Sequence, residues 1–125
     1  MGYNIFVGCQ GPWMKILKYY KTSNGKEPCK EWLSGLKDFV GMAHINKRLE
    51  RLSLGQKGDS ESVGGGVFEL RVHYGPGYRL YYAEHGQEII ILLYGGNKKS
   101  QQRDIDRAIT YWKDYLEQYH EGSIN

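Results

Sequence analysis

The apolar positions of this chain change their spacing several times, and each change marks an element. MKILKYY at 14–20 is rich in strand-favouring residues and predicts a first strand. TSNGKEP reads as a loop, and Pro28 suits the first position of a helix. Trp32, Leu33, Leu36 and Phe39 or Val40 then fall on one side of that helix, until Gly41 interrupts it. A second helix follows with Ile45, Leu49 and Leu52 at i, i+4 and i+7. Gly55 stops it as a left-handed cap. The pair forms a helical hairpin with its apolar faces inward and Lys47, Arg48 and Arg51 outside.

Past the flexible GQKGDSESVGGG stretch the period falls to two. VFELRVHY alternates, GPG turns the chain and YRLYYAEH returns, so that pairing Tyr74 with Tyr78 sets Val72 opposite Leu80, Leu70 opposite Tyr82 and His73 opposite Arg79. Phe68, Leu70, Val72, Leu80 and Tyr82 make the core side, with Tyr74 and Tyr78 on or near it. Glu69, Arg71, His73, Arg79 and Tyr81 share the other side, expected to be open. EIIILLY is apolar on both sides, as a central strand should be. The last segment predicts a helix N-capped by Ser100, with Asp104 and Asp106 at its positive end and Ile105, Ala108, Ile109, Trp112 and Leu116 as the buried stripe. The order is β-α-α-β-β-β-α in one α+β domain.

At 125 residues the chain is long enough for one core but not for two. We read residues 14–125 as that domain and the uncharged 1–13 as a loosely docked arm or an upstream start. Net charge is only +3, but residues 14–54 carry nine basic and four acidic side chains, against three and five at 101–125. Such asymmetry suits an anionic partner, although a solvated face gives the same count. Cys9 and Cys29 form no CxxC pair and the four histidines have no metal-ligand spacing, so neither a metal nor any other cofactor is expected. The apolar run IFVGC is too short for a signal or a membrane span, which predicts a cytoplasmic protein with no membrane partner.

Arg71 and Arg79 beside His73 and Tyr81 are open to two interpretations. Exposed strand faces must be polar, and Glu69 offers Arg71 an ordinary partner. Against that, arginine presents a planar fork matched to phosphate oxygens. Tyr81 and His73 offer rings for a splayed base. Lys98 and Lys99 stand in a GGNKK turn ahead of a helix N-terminus, where backbone amides also favour anions. Metal-free RNA cleavage by the 2′-OH needs charge neutralisation at phosphorus and proton transfer. Arginine serves the first and is a poor proton donor. His73 is the side chain beside these arginines whose residue type ordinarily titrates near neutrality.

The ordered motifs GxxGD, VGxGVxELRxxYGPGYRxYY and IIxLLxGGxKxxQxxDIxxA, preceded by WLxxLKD and INKRLERLxLG, resemble the phage-derived addiction-module killer proteins of the RelE/HigB toxin superfamily over about residues 14–115. The resemblance implies a RelE-like fold, a helical hairpin packed on a small, mostly antiparallel sheet and closed by a C-terminal helix. It implies a metal-independent endoribonuclease that cuts mRNA at the ribosome and is held inactive by a cognate antitoxin, a helix-turn-helix protein through which it would also reach DNA. By position, the family's arginines fall on Arg71 and Arg79 and its lysine on Lys98, while the tyrosine of the closing helix matches Tyr111 or Tyr115. Relatives commonly carry GDxK where this chain has Asp59-Ser60-Glu61-Ser62, and a carboxylate there would repel phosphate. Lys57 is the candidate substitute, and His73 the candidate for a relocated proton-transfer role.

The missing lysine also fits a catalytically silent module that binds RNA or the ribosome, or a co-regulator acting in an antitoxin complex on DNA. Tyr81, Lys57, Lys99, Lys47, Arg48 and Arg51 are the candidate RNA contacts, the last three being equally suited to solubilising a helix. Trp32 and Trp112 are expected in the core, and the GGG at 64–66 as a turn rather than a phosphate cradle, since no helix follows it.

Overall fold

The computed structural model describes residues 14–124, with side chains described to residue 120. The arm expected at 1–13 lies outside the described residues. The elements are β1 (Ile16–Tyr19), α1 (Pro28–Gly35), α2 (Phe39–Ser53), β2 (Ser60–Gly64), β3 (Val67–Val72), β4 (Tyr78–His85), β5 (Ile89–Asn97), a 3₁₀ turn (Lys98–Ser100) and α3 (Gln101–Ile124). One five-stranded sheet has the order β1-β5-β4-β3-β2. β1 runs parallel to β5, and the other neighbours are antiparallel. The fold is therefore α+β with a mostly antiparallel sheet, as the sequence predicts. No helix among the described residues is long and apolar enough to cross a membrane.

Both faces of the sheet are covered. Leu17, Leu70, Leu80, Tyr82 and Leu92 meet Ile45, Leu49 and Leu52 of the hairpin. Val67, Tyr81, Ala83, Ile91 and Leu93 meet Ala108 and Trp112 of α3. Fully burying one such aliphatic side chain contributes about 1.5–3 kcal/mol, so each layer needs only a few. β5 is apolar on both sides because it is central, with β1 on one flank and β4 on the other. A bulge lets Tyr81 pair with Tyr94 and Tyr82 with Leu92, which turns both Leu93 and Tyr94 toward α3.

Three of the expected features change here, while the GGG turn stands as expected. The glycine-rich stretch contains β2, an edge strand whose SESVG sequence has no apolar alternation to announce it. Gly64, Gly65 and Gly66 are the turn into β3, all at positive φ. The β3–β4 register is shifted by two residues from the one expected: Val72 pairs with Tyr78, Leu70 with Leu80 and Arg71 with Arg79. A shift of two preserves which face each side chain occupies, so the core list survives while the charged partners change. The hairpin bends before Phe39 rather than at Gly41, because Asp38 caps α2 by accepting from the Gly41 amide at 2.9 Å. Phe39 and Val40 consequently face solvent, at 90% and 54% exposure. Gly41 is inside α2, where a Cβ would strike Asp38 and the Tyr78 ring.

The cap before α3 is Asn97, whose side chain accepts from the Lys99 and Ser100 amides. Ser100 instead bonds the buried Asp104 carboxylate. Of the stripe expected on α3, Ala108 and Trp112 are buried, Ile105 and Ile109 are half-buried, and Leu116 is exposed. Gly55 ends α2 at φ 81° as expected.

Candidate active site

The sheet face opposite the hairpin carries Glu69, Arg71, Arg79 and Tyr81, as the alternation requires. It is not open. The first turn of α3 lies over Glu69 and Tyr81, both fully buried, with Gln101 Nε2 donating to Glu69 Oε2 at 2.8 Å. Only the end of the face toward the Gly-Pro-Gly turn reaches solvent. Side-chain exposure rises from 1% at Glu69 to 12% at Arg79, 26% at Arg71 and 73% at His73.

Glu69 organises both arginines. Its Oε1 accepts from Arg71 Nε at 3.2 Å, and its Oε2 accepts from the Tyr81 hydroxyl at 3.2 Å and lies 3.8 Å from Arg79 Nε. A buried carboxylate is tolerable there because it has two cationic neighbours and two neutral donors. Burial first, and then the Glu69 charge, raise the Tyr81 phenol well above its ordinary pKa. Tyr81 is therefore a buried strut and not a ring on which a base can stack.

Arg71 is heavily neutralised. Besides Glu69 it meets Asp59 Oδ1 through Nη1 at 3.0 Å and Glu61 Oε1 through Nη2. The segment where relatives are expected to carry GDxK thus folds its carboxylates onto this arginine. The other oxygen of Asp59 bonds His73 Nε2. That bond is the largest influence holding the Asp59 carboxyl below its usual range, with Arg71 adding to it and partial burial opposing.

Arg79, Lys98 and His73 line one cleft of about 410 Å³ beside Tyr74 and the Gly-Pro-Gly turn. Arg79 Nη1 donates to the Gly77 carbonyl at 2.8 Å. Gly77 sits at φ 77°, and a Cβ there would crowd the Arg79 guanidinium at 3.0 Å, so the bare backbone of the turn lets Arg79 approach closely, with Lys98 in ordinary contact beside it. The turn is braced below by Tyr78, whose hydroxyl donates to Asp38 at 2.6 Å and is pushed up to about 12 chiefly by that bond. Lys98 and Lys99 are exposed in the 3₁₀ turn.

The remaining candidates stand elsewhere. Lys57 pairs with Glu84 at 3.1 Å and lies over the Phe68 ring. Glu84 is five residues along β4 from Arg79, roughly 16 Å at strand spacing, so Lys57 does not take the place of the missing lysine. Arg48 is spent on the fold, donating to the carbonyls of Arg71 and Lys57. Burial is the main reason its pKa is lowered. Lys47 and Arg51 are exposed on α2. Tyr111 stacks on Tyr20 with ring centres 4.9 Å apart and lines a different cleft with Tyr94 and Arg107. Tyr115 bonds His85 Nδ1 at 2.7 Å. Burial raises both phenols, and neither lines the cleft of Arg79.

Sequence reasoning named the cleft's cations but missed what holds them. Glu69 was legible only as a surface partner of Arg71, because nothing in a strand pattern announces a helix end lying over it. The Asp59–His73 contact joins residues fourteen apart through the unrecognised strand β2. Among the described residues no group of three or more His, Cys, Asp or Glu side chains is placed to hold a metal ion.

Residues 31–113 match the family model described as Phage derived protein Gp49-like (DUF891). Over 77 residues the chain is 47% identical to an uncharacterized protein of Haemophilus influenzae (strain ATCC 51907 / DSM 11121 / KW20 / Rd), covering 62% of this chain and 78% of that protein. The matched span contains Asp59, Glu69, Arg71, His73, Arg79 and Lys98, so the whole cleft lies within the matched residues. This chain belongs to the Gp49-like family of phage-derived proteins.

Proposed function

We propose that this protein is the toxin of a type II toxin–antitoxin pair, a RelE/HigB-type endoribonuclease that cuts mRNA at the ribosome in the cytoplasm. The observation that carries the reading is the convergence of His73, Arg79 and Lys98 on one solvent-open cleft. A phosphodiester seated there meets the Arg79 fork and the Lys98 ammonium, which stabilise charge developing on the phosphoryl oxygens. The 2′-oxygen bonds phosphorus as the bond to the 5′-oxygen breaks. His73 takes the 2′-hydroxyl proton, and the leaving oxygen is protonated from solvent at the open cleft mouth, leaving a 2′,3′-cyclic phosphate and a 5′-hydroxyl. Asp59 is a positioning residue that fixes the His73 ring through Nε2. Arg71 contributes once a competing phosphate displaces Asp59 and Glu61.

The family's phage-derived description suits an addiction module, and with it an antitoxin partner, expected to be a helix-turn-helix protein that links the pair to DNA. A second reading, a binding module without activity, is favoured by the three carboxylates on Arg71. Mapping of 5′ ends on an mRNA in a bacterial translation mix separates them. The toxin reading expects defined cuts that need ribosomes and vanish with Arg79→Ala. Absence of cuts at every protein concentration would leave the binding module.

A further inference from the structure

A second run of positive charge lies away from the strand pair, leading from the 3₁₀ turn onto α3. Lys99, Arg103 and Arg107 are spaced by four residues, so they form one stripe leading away from Lys98 over roughly 12 Å. Among the described residues none of them makes an ion pair, in contrast to Arg71.

At its far end the stripe meets a second cleft, of about 400 Å³, between α1, β5 and α3. Trp32, Tyr94 and Tyr111 give it three aromatic walls, all partly exposed. Lys26 and Arg107 outweigh its one carboxylate, Glu31. The Arg107 guanidinium lies 5.6 Å from the Tyr94 ring centre, and Tyr111 meets the same ring edge-on at 5.8 Å. Tyr111 is itself backed by Tyr20, whose hydroxyl is anchored on Asp114 at 2.5 Å. The rings are thus preset, which lowers the entropy cost of receiving a flat ligand. Asp106, the acidic neighbour of the stripe, is engaged by Gln102 at 3.2 Å.

Cations at regular intervals ending in a cleft of fixed aromatic rings fit a chain of phosphates that ends in an unstacked base. We propose that this groove binds single-stranded RNA flanking the cleavage cleft. Lys99, Arg103 and Arg107 hold successive phosphates, and one base lies against Tyr94, Tyr111 and Trp32. The direction of the path rests on the endonuclease reading, whereas RNA binding by the groove does not. A duplex hides its base faces and is excluded from the aromatic cleft.

The test is fluorescence anisotropy with a labelled single-stranded 12-mer carrying 2′-O-methyl groups, which removes the attacking hydroxyl. Arg103→Ala with Arg107→Ala should raise Kd at least tenfold at low salt. It should also flatten the slope of log K against log salt by about 1.4, two phosphate contacts on a single strand. A duplex of the same sequence should bind at least tenfold more weakly than the single strand. Unchanged affinity and slope in the double variant, or equal binding of duplex, would overturn the proposal. Both arginines are exposed, so the variant should keep its circular dichroism spectrum. If the double variant loses binding while wild type cuts no RNA, the groove stands and the endonuclease reading falls. If wild type cuts and the double variant binds and cuts equally well, the groove alone falls.

Discussion

Arg71 and Arg79 stand directly opposite each other in the β3–β4 ladder, and the buried carboxylate of Glu69 lies beside both. Like charges facing across a ladder repel. Here they are held together by one anion that is only 1% exposed. Glu69→Gln keeps the shape and removes the charge, leaving two part-buried guanidinium groups facing each other. We expect it to destabilise the domain by about 3 kcal/mol, the scale for removing one partner of a buried ion pair. Urea unfolding of the two proteins measures this, and a loss below about 0.5 kcal/mol would show that Glu69 does not hold the pair.

Asp59 and Glu61 compete with any phosphate for Arg71. Their pairs are partly exposed and individually weak, but as acceptors on the same guanidinium they cancel its field. Asp59→Asn with Glu61→Gln should therefore tighten binding of a single-stranded RNA about fivefold at low salt. The salt dependence should steepen by about 0.7, one further phosphate contact. An unchanged Kd would mean that Arg71 never meets the backbone.

The same carboxylate makes acid stability depend on residue 59. The His73 bond, and then Arg71, hold the folded Asp59 pKa below its unfolded value near 3.8. A depressed carboxyl contributes stability that is fully present above the unfolded pKa and is lost as pH falls through the folded one. The contribution of Asp59 should thus be complete above about pH 5, start to fall below about pH 4 and be lost only as pH drops through the lower folded value. Asp59→Asn should lower the melting temperature at neutral pH and flatten its decline on the acid side. Parallel melting curves for the two proteins from pH 3 to pH 6, at an order-of-magnitude fixed ionic strength of ~0.1 M, would count against the contact.

The elements legible in the sequence are those with strong periodicity. The two apolar faces of β5, the stripe of α2 and the alternation of β3 and β4 each name their own burial, and the structure agrees. What stayed hidden depends on long-range placement. β2 has no apolar side to announce it, and the strand register could slip by two without moving any residue off its face. Tyr81 was expected to be open because a strand pattern cannot say that a helix lies over one end of its polar face. The cleft's cations were legible from type and turn. The Asp59–His73 and Glu69 contacts that hold them were not, since each joins segments whose proximity the chain does not state locally.

Gly96 carries the last prediction, because it sits where the sheet must admit α3. It pairs with Arg79 on β4, and a Cβ there would run into the Asp104 carboxylate and the Ser100 hydroxyl. Asp104 is buried and bonded to Ser100, so neither group can swing away without losing its partner. Gly96→Ala should cost about 2 kcal/mol, in the range for overpacking a tight contact. It should also displace the 3₁₀ turn that carries Lys98, reducing RNA binding together with stability. Gly35→Ala is the control: Gly35 ends α1, and a Cβ there meets nothing within 4 Å. The better helix former should leave stability equal or higher by a few tenths of a kcal/mol. Thermal unfolding of both variants decides it, and equal melting temperatures would mean that the α3 turn does not depend on a bare backbone at residue 96.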